Sequence, residues 1–380
     1  MPVKYLDKAA EAFQFAAAPV LLQPLSAGHI NYTYLVDCGA GNPQYILQRV
    51  NTEIFKNPFE LMSNIKGVSR HIACKAAQSG GDPGRMARTI IETKSGEDYY
   101  IDPDGGYWRS FLEIDDVVSF DFPGSPELFY KSAVAFGRFF KQLSDYPVEM
   151  LYVTIPDFHN TLSRMQEFKQ ALAQDKLGCA AQLQPEIEFI LSAQPDCSYI
   201  TDRIADGRIP LHVTHNDAKL SNILMDKNTG AGVCIIDLDT IMPGSILYDF
   251  GEAIRFGASA AREDETDLDK VQIDLAMFEI YVRGYLEEIW DVITQEELFG
   301  FPMGAYLMTL ETGMRFLGDY LNGDTYYQIH YPGQNLDRAR NQLKLAADMK
   351  EKMDQMAEIV QRIYYSVKKG QDPCESKGVI

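Results

Sequence analysis

Apolar and polar residues alternate with a period of two from Leu25 to Cys38 and again from Gln44 to Val50. The cluster Gly39, Gly41, Asn42 and Pro43 between them marks a turn, so the pattern predicts a β-hairpin. Met1 to Phe15 sets Lys4, Asp7, Lys8 and Glu11 among apolar positions and predicts an amphipathic helix. Pro58 to Ala77 carries Phe59, Met62, Ile65, Val68 and Ile72 at helical spacing. A glycine-rich loop follows at Ser79 to Gly84, then strand-like runs at Thr89 to Glu92 and Tyr99 to Ile101. From Pro126 onward long helical patterns dominate: Glu127 to Leu143, Asp267 to Ile289, Phe301 to Leu321 and Asn335 to Val367. A short strand-rich island, Leu211 to Leu238, interrupts them. The change of pattern near Trp108 to Glu113 predicts two domains of an α+β protein, residues 1–112 with a small antiparallel sheet and residues 113–380 mainly helical. The polar stretch after Lys369 reads as a frayed end.

Composition narrows the class. The chain has 380 residues, 46% of them hydrophobic, enough for a large buried core and too long for one ordinary domain. The 35 lysines and arginines against 54 acids give a net charge of −19, which repels nucleic acid. A phosphate-bearing ligand must therefore be met locally, by a metal ion, backbone amides or a few placed cations. The six cysteines form no CxxC pair, which points to reduced thiols and a cytoplasmic protein rather than a zinc site or a disulfide scaffold. No run of about 18 apolar residues predicts a membrane span, and no signal peptide is expected.

The chemistry is concentrated in His212 to Asp239, HVTHNDAKLSNILMDKNTGAGVCIIDLD, where polar residues cluster between apolar runs. Asp217 and Asn222 stand five apart on an expected loop, and Asp237 closes the apolar run Val233 to Ile236 after a turn at Lys227 to Gly232. The hairpin is expected to bring the three together. Phosphoryl transfer needs this trio: a carboxylate to orient or accept the proton of an attacking hydroxyl, and hard oxygen ligands for Mg²⁺ on a nucleoside triphosphate. Asp217 takes the catalytic role, Asn222 and Asp237 the metal. His215 is expected to shape the loop. The structural alternative is that Asp217 and Asn222 cap turns while Asp237 and Asp239 sit at a solvated strand end.

These residues resemble the aminoglycoside phosphotransferase and choline kinase-like family, and in particular its N-acetylhexosamine 1-kinase branch. The resemblance rests on His215 to Asn222, Ile235 to Gly244 (IIDLDTIMPG) and Tyr248 to Ala258 (YDFGEAIRFGA). It implies a protein-kinase-like bilobal fold, a small antiparallel β-sheet lobe followed by a larger mainly helical one. It also implies ATP- and Mg²⁺-dependent phosphorylation of the anomeric hydroxyl of N-acetylglucosamine or N-acetylgalactosamine. The expected partners are ATP and a small sugar, with no nucleic acid and no membrane. Asp249 either braces the catalytic loop or caps a helix.

On the nucleotide side the resemblance places Gly28, within LSAGHINYTYLV, over the phosphates. The strand lysine of related kinases is missing from YILQRV, where Gln48 and Arg49 stand; strand alternation lets only one of them face the phosphates. Glu60 is the acid from which a kinase helix would pair with such a cation, or else an ordinary solvated glutamate. Adenine is expected against Ser110 to Ile114. For the acceptor the resemblance implies His29, Phe256, Arg315 and Tyr326, a mixture of donors and an apolar face that suits a sugar. Arg315 and Asp319 alternatively form a surface pair four residues apart on one helix.

Two alternatives stay open. One is a kinase of the same fold for another small alcohol such as homoserine, methylthioribose or an aminoglycoside. The other is a catalytically silent nucleotide-binding protein. A protein kinase is disfavoured, because Asp237, Leu238 and Asp239 replace the Asp-Phe-Gly run and no Ala-Pro-Glu closes an activation segment.

Overall fold

The computed structural model describes residues 4–25 and 31–371. The chain divides into two compact units. One holds the residues up to Val118 together with Asp145–Pro156 and Leu224–Met242; the other holds Ser119–Ser144, Asp157–Ile223 and the chain from Pro243 on.

The first unit begins with α1 (Leu6–Ala12), followed by β1 (Leu21–Leu25), β2 (Tyr32–Asp37) and β3 (Gln44–Arg49). The expected hairpin forms between β2 and β3, with Tyr34 opposite Leu47 and Val36 opposite Tyr45. Its turn needs Gly39 and Gly41, both at positive φ (86° and 81°), where a Cβ would be strained. Leu25 lies in a separate strand, β1, antiparallel to β2. Next come α2 (Pro58–Gln78), α3 (Pro83–Met86), β4 (Ile90–Ile91), β5 (Tyr100–Ile101), β6 (Tyr107–Leu112) and β7 (Val117–Val118). Asn57 caps α2 by accepting from the Glu60 N–H, and Pro58 opens the helix. The sheet runs β1-β2-β3-β6-β4, with β5 on β6. Ala9, Ala10 and Phe13, following the amphipathic pattern of the first residues, bury against Tyr34, Val36, Leu47 and Trp108 of the sheet.

The second unit opens with α4 (Pro126–Leu143), capped by Ser125. It continues through α5 (Thr161–Gln174), α6 (Gln184–Ser192), α7 (Tyr199–Ala205) and β8 (His212–Thr214). The chain then forms β9 (Ile223–Asp226) and β10 (Gly232–Ile235), which pair with each other, β9 also pairing with β7 of the first unit, to which all but Ile223 belong. After β11 (Met242–Gly244), paired with β8, follow α8 (Ile246–Gly257), α9 (Leu275–Ile289), α10 (Gln295–Asn322), α11 (Gln334–Glu351) and α12 (Met353–Gln371). Helix α10 packs against α5, α8, α11 and α12, and α9 packs against α4 and α12.

Several boundaries differ from the sequence pattern for physical reasons. Asp267 caps a short 3₁₀ turn and Asp274 caps α9, so that helix starts at Leu275. Helix α10 starts before Phe301, because Thr294 and Glu297 form a reciprocal capping box and Pro302 is carried inside the helix. The pattern from Asn335 to Val367 is two helices, broken at Lys352. The described cysteines, Cys38, Cys74, Cys179, Cys197 and Cys234, form no disulfide, and no described helix is long and apolar enough to cross a membrane.

Candidate active site

In the second unit the residues from His215 to Asn222 leave β8 as a loop whose conformation is imposed by α8. Ser245 is the N-cap of that helix, accepting from the Leu247 N–H, so Asp249 is not the cap. The buried Asp249 carboxylate instead accepts the backbone N–H of His215 at 2.8 Å and of Asn216 at 2.6 Å. Burial pushes its pKa up, against neighbouring His215 and these two amide donors. Asn216 stands at φ 62°, a left-handed conformation that a free asparagine visits only occasionally. The loop is therefore bent against local preference and held by tertiary bonds. His215 packs edge-on to Phe136 and Phe139 of α4, and its Nδ1 accepts the Asp217 N–H.

This bend brings Asp217 and Asn222 together. The Asn222 amide nitrogen donates to the Asp217 carbonyl at 2.8 Å and to its Oδ2 at 3.0 Å. That fixes the carboxamide with its nitrogen toward Asp217, leaving Oδ1 as a hard oxygen of the kind Mg²⁺ takes. Lys219, two residues after the aspartate, places Nζ 2.9 Å from the same Oδ2. Burial pushes the Asp217 pKa up, but the Lys219 ammonium, His215 and the Asn222 amide outweigh it and hold the group below the usual aspartate range. Asp217 is thus ionised at neutral pH and oriented by two donors. Lys219 was legible as a cation inside the motif but carried no role in the sequence reading.

Asp237 belongs to the first unit, two residues beyond β10, at φ 59°. Asp239 is not a solvated strand-end acid: its carboxylate is buried, 2.6 Å from Arg109 Nη1 and 2.9 Å from Nη2, and it accepts from Asn31 at 2.7 Å. Gln48 lies on this face of the sheet, accepting from Arg109 Nε at 3.0 Å and donating to Thr33 at 3.1 Å. Arg49, one residue on, turns to the other face, where Nε lies 3.7 Å from Asp102. Glu60 sits in the first turn of α2 with no ion-pair partner among the described residues. Ser110 to Leu112 belong to β6, and the Leu112 and Glu113 N–H groups are bonded to Thr89 and Gln44.

A cation that sequence reasoning missed lies in the same unit. Arg88 stacks on Phe111, 4.6 Å from the ring centre, with Arg109 5.3 Å from that ring. Its guanidinium makes no hydrogen bond or ion pair with any described residue. Burial and the Arg109 charge draw its pKa down, against Cys234, Glu113 and Asp237, but a guanidinium stays charged. No local signal marks Arg88, because it stands outside any motif and only β4–β6 pairing delivers it to Phe111.

The acceptor candidates separate as follows. Gly28 and His29 lie outside the described residues. Arg315 of α10 lies 5.8 Å and 5.5 Å from the ring centres of Tyr326 and Tyr327, and it makes no hydrogen bond or ion pair with described residues. The alternative pair with Asp319 does not form. Asp319 accepts instead from the backbone of Thr325, Tyr326 and Tyr327 and from Asn335, fixing the tyrosine loop. Tyr326 is exposed. Phe256 lines a narrow cavity of about 10 Å³ with Ala218 and Leu220 of the loop after β8 and Phe129 and Phe136 of α4. Nearby, Arg255 binds Glu252 at 2.7 and 3.0 Å and Glu263 at 2.5 Å.

A small antiparallel sheet, a larger helical unit and a braced Asp-x-x-x-x-Asn loop define a phosphotransferase of protein-kinase-like fold. The solved structure of a microcompartment-associated aminopropanol kinase is similar, with a TM-score of 0.57 and 17% identity over 89% of this chain and 93% of that one. So is spectinomycin phosphotransferase in complex with ADP and spectinomycin (0.53, 11%, covering 97% and 99%). A choline/ethanolamine kinase family protein from Mesorhizobium loti also matches (0.51, 16%, 90% and 92%). The likeness to these is one of fold. The sequence itself matches the model of the APH phosphotransferase enzyme family over residues 21–286, and the chain belongs to that family.

Proposed function

We propose that this phosphotransferase moves the γ-phosphoryl group of ATP to the anomeric C1 hydroxyl of an N-acetylhexosamine, giving the sugar 1-phosphate. The observation that carries the reading is Asp217, an ionised carboxylate oriented by Asn222 and Lys219 on a loop pinned by Asp249. Such a group orients an attacking hydroxyl and accepts its proton, while most of the rate enhancement comes from positioning and electrostatics. Asn222 and Asp237 each carry hard oxygens of the kind that would hold Mg²⁺, which when bound would neutralise triphosphate charge. Arg88 supplies the cation that the missing strand lysine would have provided, since Arg49 is engaged by Asp102 and Gln48 by Arg109. Gly28 lets the backbone approach the phosphates.

The acceptor side favours a neutral sugar over a cationic alcohol. Arg315 has its donors to offer to hydroxyl and acetamide oxygens, and it repels an ammonium. Of the acids around it, Glu252 is paired with Arg255 and Glu311 with His159, so neither is free to hold an amine. Tyr326, Phe256 and His29 complete the acceptor set. The ATP-rich cytoplasm is the compartment for this reaction.

An ADP-release assay over hexoses, N-acetylhexosamines, choline, homoserine and methylthioribose tests the reading, with the phosphorylated carbon located by NMR. Turnover on N-acetylhexosamines at C1 is expected; turnover confined to amino alcohols would overturn it. Asp237→Ala should abolish turnover, and Asp217→Asn should lower kcat by roughly 10²- to 10⁴-fold with KM for ATP nearly unchanged.

A further inference from the structure

His159, on the loop that enters α5, is buried, and both its ring nitrogens face acceptors. Nε2 lies 2.8 Å from the carbonyl oxygen of Asn216, and Nδ1 lies 3.1 Å from Oε1 of Glu311 on α10. A carbonyl has no proton to give, and neutral imidazole has only one N–H. Both contacts are satisfied only if the His159–Glu311 pair holds one proton more than imidazole plus carboxylate, as imidazolium facing carboxylate or imidazole facing acid. The second oxygen of Glu311 accepts from Thr161 Oγ1 at 2.9 Å, and its side chain is 1% exposed. The ring is fixed laterally by Phe158 and Tyr248, 4.6 and 5.3 Å away between centres.

Asn216 is the left-handed residue immediately before Asp217. Asp249 holds its N–H from one side, and His159 holds its C=O from the other. We propose that His159, locked by Glu311, is a positioning residue for Asp217, and that the catalytic loop keeps its working geometry only while this pair retains its shared proton. The proposal rests on the reading of Asp217 given above. The proton leaves to solvent, after which one of the two contacts must open and a buried carboxylate faces a lone pair.

The surrounding charges set the direction. Glu252 and Asp249 on α8 favour the proton on His159, while Arg315 on α10 and Arg164 on α5 favour the ionised form of Glu311. Burial lowers the His159 pKa, but the Glu311 contact and the Asn216 carbonyl raise it further, to above the ordinary histidine value. A raised value means that the contribution is complete below the ordinary pKa of about 6.5 and is lost as pH rises through the folded-state pKa. The pair therefore gives kcat an alkaline limb.

Two measurements test this. In ¹⁵N-histidine NMR of the intact protein, both nitrogens of His159 should show proton-bearing shifts, or one should with Glu311 protonated, below the transition, and the pair should lose one proton above it. A neutral ring beside an ionised Glu311 throughout would overturn the proposal, and this readout needs no turnover, so it stands apart from the acceptor assignment. In kinetics, His159→Leu should lower kcat by about ten- to a hundred-fold with KM for nucleotide little changed. The double variant His159→Gln/Glu311→Gln, which keeps polar groups without a titrating proton, should fold and flatten the alkaline limb. An unchanged limb in the double variant, or a loss confined to KM, would refute the positioning role while leaving the phosphotransferase reading intact.

Discussion

Asp239 and Arg109 show how far a single residue's role departs from its local appearance. In the sequence Asp239 is the second acid of a strand end and Arg109 one polar position of a strand; folded, they form an ion pair 130 positions apart, at most a few per cent exposed, with Asn31 donating to Asp239 and Gln48 accepting from Arg109. A paired buried charge is tolerable and a lone one is not. Asp239→Ala should therefore cost about 3 to 5 kcal/mol in urea unfolding. The Arg109→Met/Asp239→Leu double variant should recover much of that loss, and additive losses in the cycle would contradict the coupling. Asp217 and Asn222 were legible because both lie in one loop with types and spacing set by phosphoryl transfer. Arg88 was not, since an arginine in the loop leading into a short strand has no local mark. Nor was the orientation of Gln48 and Arg49, which waited on which of the two shares a face of the sheet with Arg109 of β6.

Among the elements, α8 and α10 hold the loop before Asp217, α8 through Asp249 and α10 through Glu311 and His159. They approach backbone to backbone. A Cβ on Gly251 would lie 2.4 Å from the Gly304 carbonyl oxygen, and one on Gly304 would lie 2.7 Å from that of Leu247. Gly304→Ala should force the helices apart, costing roughly 1 to 3 kcal/mol and lowering kcat in parallel as Asp249 shifts. Gly318→Ala, on the same helix, would meet only Ala171 at 3.9 Å and should be neutral or stabilising. Thermal unfolding and turnover of the two variants side by side check this, and equal behaviour would rule out the close-packing argument. The long helices α2, α4 and α10 were visible as periodic apolar stripes. Helices α5 to α7 were not read, α6 and α7 being short, and the start of α10 was missed although Thr294 and Glu297 already spelled a capping box.

For the whole molecule, a charge of −19 acts as a diffuse self-repulsion. Raising NaCl from about 10 to 200 mM at pH 8 should raise the unfolding midpoint, and the same salt near the pI of about 4.7 should do little, because screening matters only where net charge is large. A midpoint equally sensitive at both pH values would contradict this. The sequence by itself determined the α+β class, the long helices and the first hairpin, and it marked the loop from Asp217 to Asn222, because periodicity and motif spacing are written in neighbouring residues. Only the tertiary structure decided that segments 145–156 and 224–242 pack with the first 118 residues, that Asp249 braces a loop 33 positions earlier, and that His159 meets Glu311 across 152. Those pairings depend on which distant surfaces exclude water together, and no local window of sequence contains that energy.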